Sequence, residues 1–185
     1  MSITLVTGPS RSGKSEWAEQ LAARQAEHTC QQVVYVATAQ MNSDDAEWQS
    51  RIEQHQLRRP ITWQVEEVPI ALAEAILLDR SNTGASCLLI DSLGSWLANL
   101  IEEDDDSWEA LQQSLVNALV QTDTDVILVA EETGWGVVPA YELGRRFRDR
   151  LGTLSRAIGQ ISTDVYLVTS GYAISIKQLG TPVGL

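Results

Sequence analysis

Residues 3–15 read Ile3-Thr4-Leu5-Val6-Thr7-Gly8-Pro9-Ser10-Arg11-Ser12-Gly13-Lys14-Ser15, and a helical pattern follows at once. An apolar run ending in glycine, a loop spaced G-x-x-x-x-G-K-S and an amphipathic helix supply the strand, loop and helix context that gives this motif its meaning. Gly8 and Gly13 permit backbone angles that turn successive N–H groups inward, and the start of the helix adds its positive end. A triphosphate can be cradled there without a basic surface. In such a cradle Lys14 reaches the β- and γ-phosphates and Ser15 ligates Mg²⁺. Gly8, Pro9, Ser10, Arg11, Ser12, Gly13, Lys14 and Ser15 are therefore the first candidate nucleotide contacts. The plain alternative, a Gly-rich turn with no ligand, is disfavoured because spacing and context match together.

Outward from this loop, short apolar runs at 33–38, 87–90, 126–130 and 165–169 join the run at 3–7 and read as parallel strands buried on both faces. Amphipathic segments at 15–26, 45–57, 70–79, 108–120 and 141–161 are long enough to be crossover helices on both faces of the sheet. The expected fold is α/β with a mostly parallel sheet. A short strand is expected over 62–66. Residues 172–179, after Ser170-Gly171 and with alternating Ile174 and Ile176, predict an antiparallel edge hairpin. The acidic run 102–106 reads as a solvated loop that ends at Ser107, a candidate N-cap for the next helix. A length of 185 residues fits one domain, 1–185.

At 44% hydrophobic and 21% charged, the chain has enough apolar residues for a sizeable core. Its formal charge of −12 argues against binding nucleic acid or anionic membranes non-specifically, so an anionic ligand needs a local positive site. No apolar stretch approaches the roughly 18 residues of a membrane span, and the first residues lack the pattern of a signal peptide. Cys30 and Cys87, far apart, read as two half-buried thiols of a reducing compartment. The expected location is the cytoplasm. Lysine occurs only as Lys14 and Lys177, and arginines crowd between Arg145 and Arg156.

A P-loop needs an acid at the end of another strand to hold its metal, and Leu88-Leu89-Ile90-Asp91 supplies one. Asp91 is the metal candidate beside Ser15, with capping of a helix starting near Leu93 as the competing role. Glu131 and Glu132 follow the strand 126–130 at the edge where open α/β sheets bind ligands. They read as a general base, a substrate contact or solvated carboxylates. His55 lies among Arg51, Arg58 and Arg59, and two readings stay open: a surface histidine, or a nucleophile that attacks the α-phosphorus of a nucleoside triphosphate. His28 has no comparable setting and reads as an exposed bystander. Trp96 and Trp135 read as core residues first, and as lining for a large apolar ligand second.

Together these motifs resemble the bifunctional adenosylcobinamide kinase/adenosylcobinamide-phosphate guanylyltransferase family of cobalamin biosynthesis. Beyond the loop, the resemblance rests on Tyr35-Val36-Ala37-Thr38-Ala39, Arg51-Ile52, His55, Arg59-Pro60, Trp63, Glu67, and Asp91-Ser92-Leu93 with Trp96-Leu97-Ala98-Asn99-Leu100. It continues through Glu132-Thr133-Gly134-Trp135-Gly136-Val137-Val138-Pro139, Arg146-Phe147-Arg148-Asp149, Gly152 and Ser170-Gly171. It implies phosphorylation of the aminopropanol hydroxyl of adenosylcobinamide by ATP or GTP, then transfer of GMP from GTP to that phosphate. His55 falls where the family carries its guanylylated histidine, with Lys14 as the other catalytic residue. Ala37, Thr38, Ala39, Gln56, Leu57, Arg58, Arg59, Glu67 and Asp91 fall where the family contacts guanine nucleotide or metal. The resemblance further implies a RecA-like P-loop architecture and a homotrimer. Two departures stand out: Gly8-Pro9-Ser10 replaces the frequent Gly-Gly-Ala, and Glu131-Glu132-Thr133-Gly134 replaces Asn-Glu-Val-Gly, adding a carboxylate where an amide is common. The P-loop alone leaves two rivals, a single-function small-molecule kinase and a nucleotide-sensing protein without catalysis.

Overall fold

The computed structural model describes residues 1–30, 32–40, 59–78 and 86–183. Its elements are β1 (Ile3–Gly8), α1 (Lys14–Thr29), β2 (Gln32–Ala37), β3 (Gln64–Glu67), α2 (Leu72–Leu77), β4 (Ser86–Asp91) and α3 (Leu93–Asn99). The chain continues through α4 (Asp105–Gln121), β5 (Asp125–Glu131), α5 (Glu142–Ile161), β6 (Asp164–Thr169), β7 (Tyr172–Ser175) and α6 (Ile176–Leu179). The strands form one seven-stranded sheet in the order β3-β2-β4-β5-β1-β6-β7. All neighbours pair in parallel except β6 and β7. This is the expected α/β class.

The central strands read as unbroken apolar runs because both of their faces are covered. Leu5, Val36, Leu88, Ile90, Val126 and Leu128 pack toward α2, α3, α4 and α5 through Ile76, Leu97, Leu119 and Leu154. Their alternate neighbours, Val6, Val33, Tyr35, Leu89, Ile127 and Val129, pack against Ala18 and Ala22 of α1. Alanines on α1 bring the helix backbone close to the sheet, which fixes the P-loop over the ends of the strands. Trp96 lies fully buried in the first core against Trp108, with ring centroids 5.7 Å apart, and its Nε1 donates to the Ile70 carbonyl at 2.8 Å. Trp135 is exposed.

Three expectations need correction. The C-terminal hairpin is shorter than 172–179: Ser170 and Gly171, both at positive φ (52° and 78°), make the two-residue turn, but β7 ends at Ser175. Ile176 then starts a helical turn closed by Gly180 N–H to the Ile176 carbonyl at 2.6 Å, and the Lys177 ammonium donates to the Ser162 carbonyl. The N-cap of α4 is Asp104 rather than Ser107: the Asp104 carboxylate accepts from Ser107 N–H at 2.8 Å, so Ser107 lies within the first turn. A charged acceptor suits the positive end of a helix better than a hydroxyl. The acidic run itself is solvated as expected, with residues 102–106 all exposed, and Asp105 also pairs with the buried Arg150 at 2.9 Å. Finally, the thiols are not both half-buried: Cys30 is exposed and Cys87 fully buried. Burial, reinforced by the nearby Asp125, pushes the Cys87 thiol up to about 12.

Candidate active site

The loop closes over the end of β1 as its glycines dictate. A Cβ on Gly8 would collide with the Val168 carbonyl and lie 2.7 Å from Ser12 Oγ. Gly13, at φ 92°, is the N-cap of α1, and no side chain caps the first turn. Arg11 is also left-handed, at φ 58°. The alternation of hand across 11–13 is the geometry that turns backbone N–H groups toward a common anion. Lys14 is buried, with Nζ 3.4 Å from the Pro9 carbonyl, so its ammonium is held across the loop. Ser12 Oγ is buried without a hydrogen-bond partner among the described residues. Inside the loop that hydroxyl is placed to donate to a phosphate oxygen.

One strand, β5, separates β1 from β4, so Asp91 at the end of β4 faces the loop across that strand's width. Ser15 Oγ donates to Asp91 Oδ1 at 3.4 Å, which joins the two proposed metal ligands directly. The other carboxylate oxygen accepts from the Tyr35 hydroxyl at 2.8 Å. Burial first, and then the neighbouring Asp91 charge, raises the Tyr35 phenol far above its ordinary range, so it stays a donor and fixes the carboxylate's rotation. Arg59 stacks over the Tyr35 ring, its guanidinium carbon 3.5 Å from the centroid. Tyr35 was not among the sequence candidates. A tyrosine inside a fully buried strand must find a partner for its hydroxyl, and that rule is the signal that could have found it.

Asp91 does not cap α3. Ser92 does, accepting from Ser95 N–H at 3.2 Å, and the Asp91–Ser92 peptide is cis. Thr38, fully buried, donates its hydroxyl to the Ser92 carbonyl at 2.6 Å and accepts from Ser92 N–H at 2.9 Å. Asn99 reaches back to the Thr38 carbonyl at 2.8 Å. Thr38 therefore clamps the chain next to Asp91, while Ala37 and Ala39 flank it at the same sheet edge. Glu67 is exposed at the end of β3, beside Ala37 in register. Glu131 accepts from Ser92 Oγ at 2.6 Å and from Gly94 N–H at 2.9 Å. Both of its oxygens are thus committed to the N-terminus of α3, which answers what the extra carboxylate does. Glu132 accepts from Gly134 N–H at 2.7 Å, and its own N–H donates to the Gly8 carbonyl at 2.8 Å. His55, Gln56, Leu57, Arg58 and the helix expected at 45–57 lie outside the described residues. His28 is exposed at the end of α1.

Lys14 and Ser15 at the mouth of a glycine-bounded loop, facing a strand-end acid within hydrogen-bond reach, define a P-loop nucleotide-binding α/β protein. The chain belongs to the cobinamide kinase/cobinamide phosphate guanyltransferase family, CobU, whose family model matches residues 4–176. Membership makes it a transferase with kinase and guanylyltransferase activities, and neither the single-function kinase nor the sensor is favoured. It is 40% identical over 174 residues to the bifunctional adenosylcobalamin biosynthesis protein CobP of Pseudomonas aeruginosa, covering 94% of this chain and 96% of that one. It is 34% identical to the bifunctional adenosylcobalamin biosynthesis protein CobU of Escherichia coli, and 33% to that of Salmonella typhimurium, over 95% of this chain and 99% of each. Among the described residues, no helix is long and apolar enough to cross a membrane.

Proposed function

We propose that the chain acts as a single cytoplasmic domain, assembled as a homotrimer, that phosphorylates adenosylcobinamide with ATP or GTP and then converts the phosphate to adenosylcobinamide-GDP. The observation that carries the nucleotide site is the P-loop with its buried Lys14, unpaired Ser12 hydroxyl and Ser15–Asp91 contact. In the first reaction the aminopropanol hydroxyl attacks the γ-phosphorus, and the bond to the bridging oxygen breaks. Lys14 and the loop N–H groups spread the charge that develops on the leaving diphosphate. In the second, an imidazole nitrogen of neutral His55 attacks the α-phosphorus of GTP and expels pyrophosphate, leaving a phosphoramidate. A phosphate oxygen of the acceptor then displaces the imidazole. Arg58 and Arg59 lie next to His55 in sequence, and Arg59 is seated over Tyr35, within the group that holds Asp91.

Mg²⁺ fits the donors present. A hydroxyl and a carboxylate are hard oxygen ligands, and Mg²⁺ needs only one or two protein groups alongside phosphates and water. Bound by Ser15 and Asp91, the ion supplies charge neutralisation at the phosphates. The α- and γ-phosphorus atoms cannot both be presented in one nucleotide pose, so either the His55 segment moves or the nucleotide rebinds between steps.

The test is product analysis. Purified protein with adenosylcobinamide and ATP should yield a corrinoid heavier by one phosphate, and addition of GTP should convert it to the GDP derivative. Lys14→Ala should lose the first product by at least about 100-fold, the scale of a removed charge-stabilising group. A first product formed without the second would leave a kinase alone.

A further inference from the structure

Beside the P-loop, outside every residue so far given a role with phosphate, lies a cleft of about 460 Å³ between the end of β5 and one face of α5. Its floor is Glu131 and Glu132, and its far wall carries Arg148, Asp149, Gly152 and Arg156, so three carboxylates and two guanidiniums line it. Resting on the reaction proposed above, we infer that this cleft is the acceptor subsite and receives the phosphorylated aminopropanol end of the corrinoid, with Arg148 and Arg156 as its phosphate ligands.

The cleft shares a wall with the nucleotide site. Glu131 pairs with Gly8 in the β1–β5 register, and Glu132 N–H bonds the Gly8 carbonyl at 2.8 Å. A group seated over these carboxylates lies one strand from the P-loop glycine, where an acceptor must meet a transferring phosphoryl group. The walls are also built. Glu132 holds Gly134 N–H at 2.7 Å, and Arg148 Nη2 donates to the Gly134 carbonyl at 2.8 Å, tying the segment after β5 to α5. Arg148, Gly152 and Arg156 recur every four residues, one stripe of the helix whose two arginine backbone positions lie about 12 Å apart along the axis at 1.5 Å rise per residue, within the combined reach of two long side chains. Gly152 leaves the stripe hollow: a Cβ there would meet nothing within 4 Å.

Chemistry selects the occupant. Guanidinium groups bind a phosphate monoester through paired N–H donors, while the acidic floor suits hydroxyl and amide donors of the linker. The volume matches a small-molecule subsite and is too small for a corrin ring with its side chains, so the macrocycle stays outside the cleft mouth. Glu131 does not oppose the phosphate fully, because both of its oxygens are engaged by Ser92 and Gly94.

The test measures KM for adenosylcobinamide phosphate, adenosylcobinamide and GTP in the wild type, Arg156→Ala, Arg156→Lys and Gly152→Leu. Arg156→Ala should raise KM for the phosphorylated acceptor at least tenfold and shift the GTP KM less than twofold, with partial recovery in Arg156→Lys, which keeps the charge and loses the fork. Gly152→Leu should raise KM for both acceptors by filling the hollow. It adds atoms to open space and replaces a helical glycine, so misfolding does not account for its effect. Acceptor KM values within twofold of wild type in all three variants, with the wild type making both products, would overturn the inference. A wild type that makes neither product overturns the parent reading instead, and this one with it.

Discussion

Gly94→Ala is expected to destabilise the protein through a residue 37 positions away. The glycine is the second residue of α3, where a Cβ would run into the Glu131 carboxylate, its Cδ only 2.7 Å off. The added methyl must push Glu131 out and so breaks two hydrogen bonds, from Ser92 Oγ at 2.6 Å and Gly94 N–H at 2.9 Å. Hydrogen bonds to a charged group contribute about 1.5–3 kcal/mol each, so about 3 kcal/mol is at stake for this half-buried carboxylate. The better helix propensity of alanine returns up to about 1 kcal/mol, leaving a net cost of about 2 kcal/mol. Urea denaturation should show this as a midpoint lowered by roughly 1 M for m of about 2 kcal/mol/M. Glu131→Ala removes the same two bonds and should cost a similar amount. In the double variant the methyl meets no carboxylate, so the cycle should show a coupling of about 3 kcal/mol, the worth of the two hydrogen bonds that each single variant loses and the double loses only once. Additive costs, with a coupling below about 0.5 kcal/mol, would refute the claim that the glycine exists to admit Glu131. Because Ser92 follows Asp91 directly, Gly94→Ala should also slow the kinase reaction, while the double variant should not recover it.

Other consequences are local. Arg150→Ala should cost about 1–2 kcal/mol in the same assay, since the buried guanidinium bonds the Ile101 and Glu103 carbonyls and Asp105 at 3.3, 2.8 and 2.9 Å and packs over Trp108, while the exposed Glu103 and Asp105 acceptors are left open to water. The Asp104 carboxyl is held below its ordinary 3.8, chiefly by the Ser107 N–H. A depressed folded pKa contributes stability that is fully present above the unfolded value and is lost as pH falls through the folded one. The advantage of wild type over Asp104→Ala should therefore be constant at neutral pH and shrink below about pH 4. A maleimide at pH 7 should label Cys30 alone, with Cys87 reacting only after denaturation, as its burial and raised pKa require; mass spectrometry of the intact chain reads both states.

What could be read in advance was local or periodic. The P-loop is contiguous, so its glycines, Lys14 and Ser15 declare themselves by spacing. The β4 strand announces itself because burial on both faces leaves it uniformly apolar, and Asp91 marks its end. Features that depend on distant partners were illegible. Glu131 looked like a base or a surface acid, because nothing in the sequence shows that α3 brings Ser92 and Gly94 to it. Asp104 and Ser107 are both competent caps, and only the true start of α4 decides between them. Ile174 and Ile176 alternate like a strand, yet the Gly180 N–H closure and the Lys177 bond to Ser162 turn the chain into a helix. Tyr35 was hidden among valines because its hydroxyl reports on β4, a neighbour in space.

The central claim is a covalent guanylyl group on His55, and it is tested by incubating the protein with GTP labelled at the α-phosphate. The account predicts a labelled protein whose adduct is lost in acid, survives base, is absent from His55→Ala, and passes its label to adenosylcobinamide phosphate on addition of that acceptor. Label retained in His55→Ala, or labelled corrinoid formed with no labelled protein at any time, would contradict it.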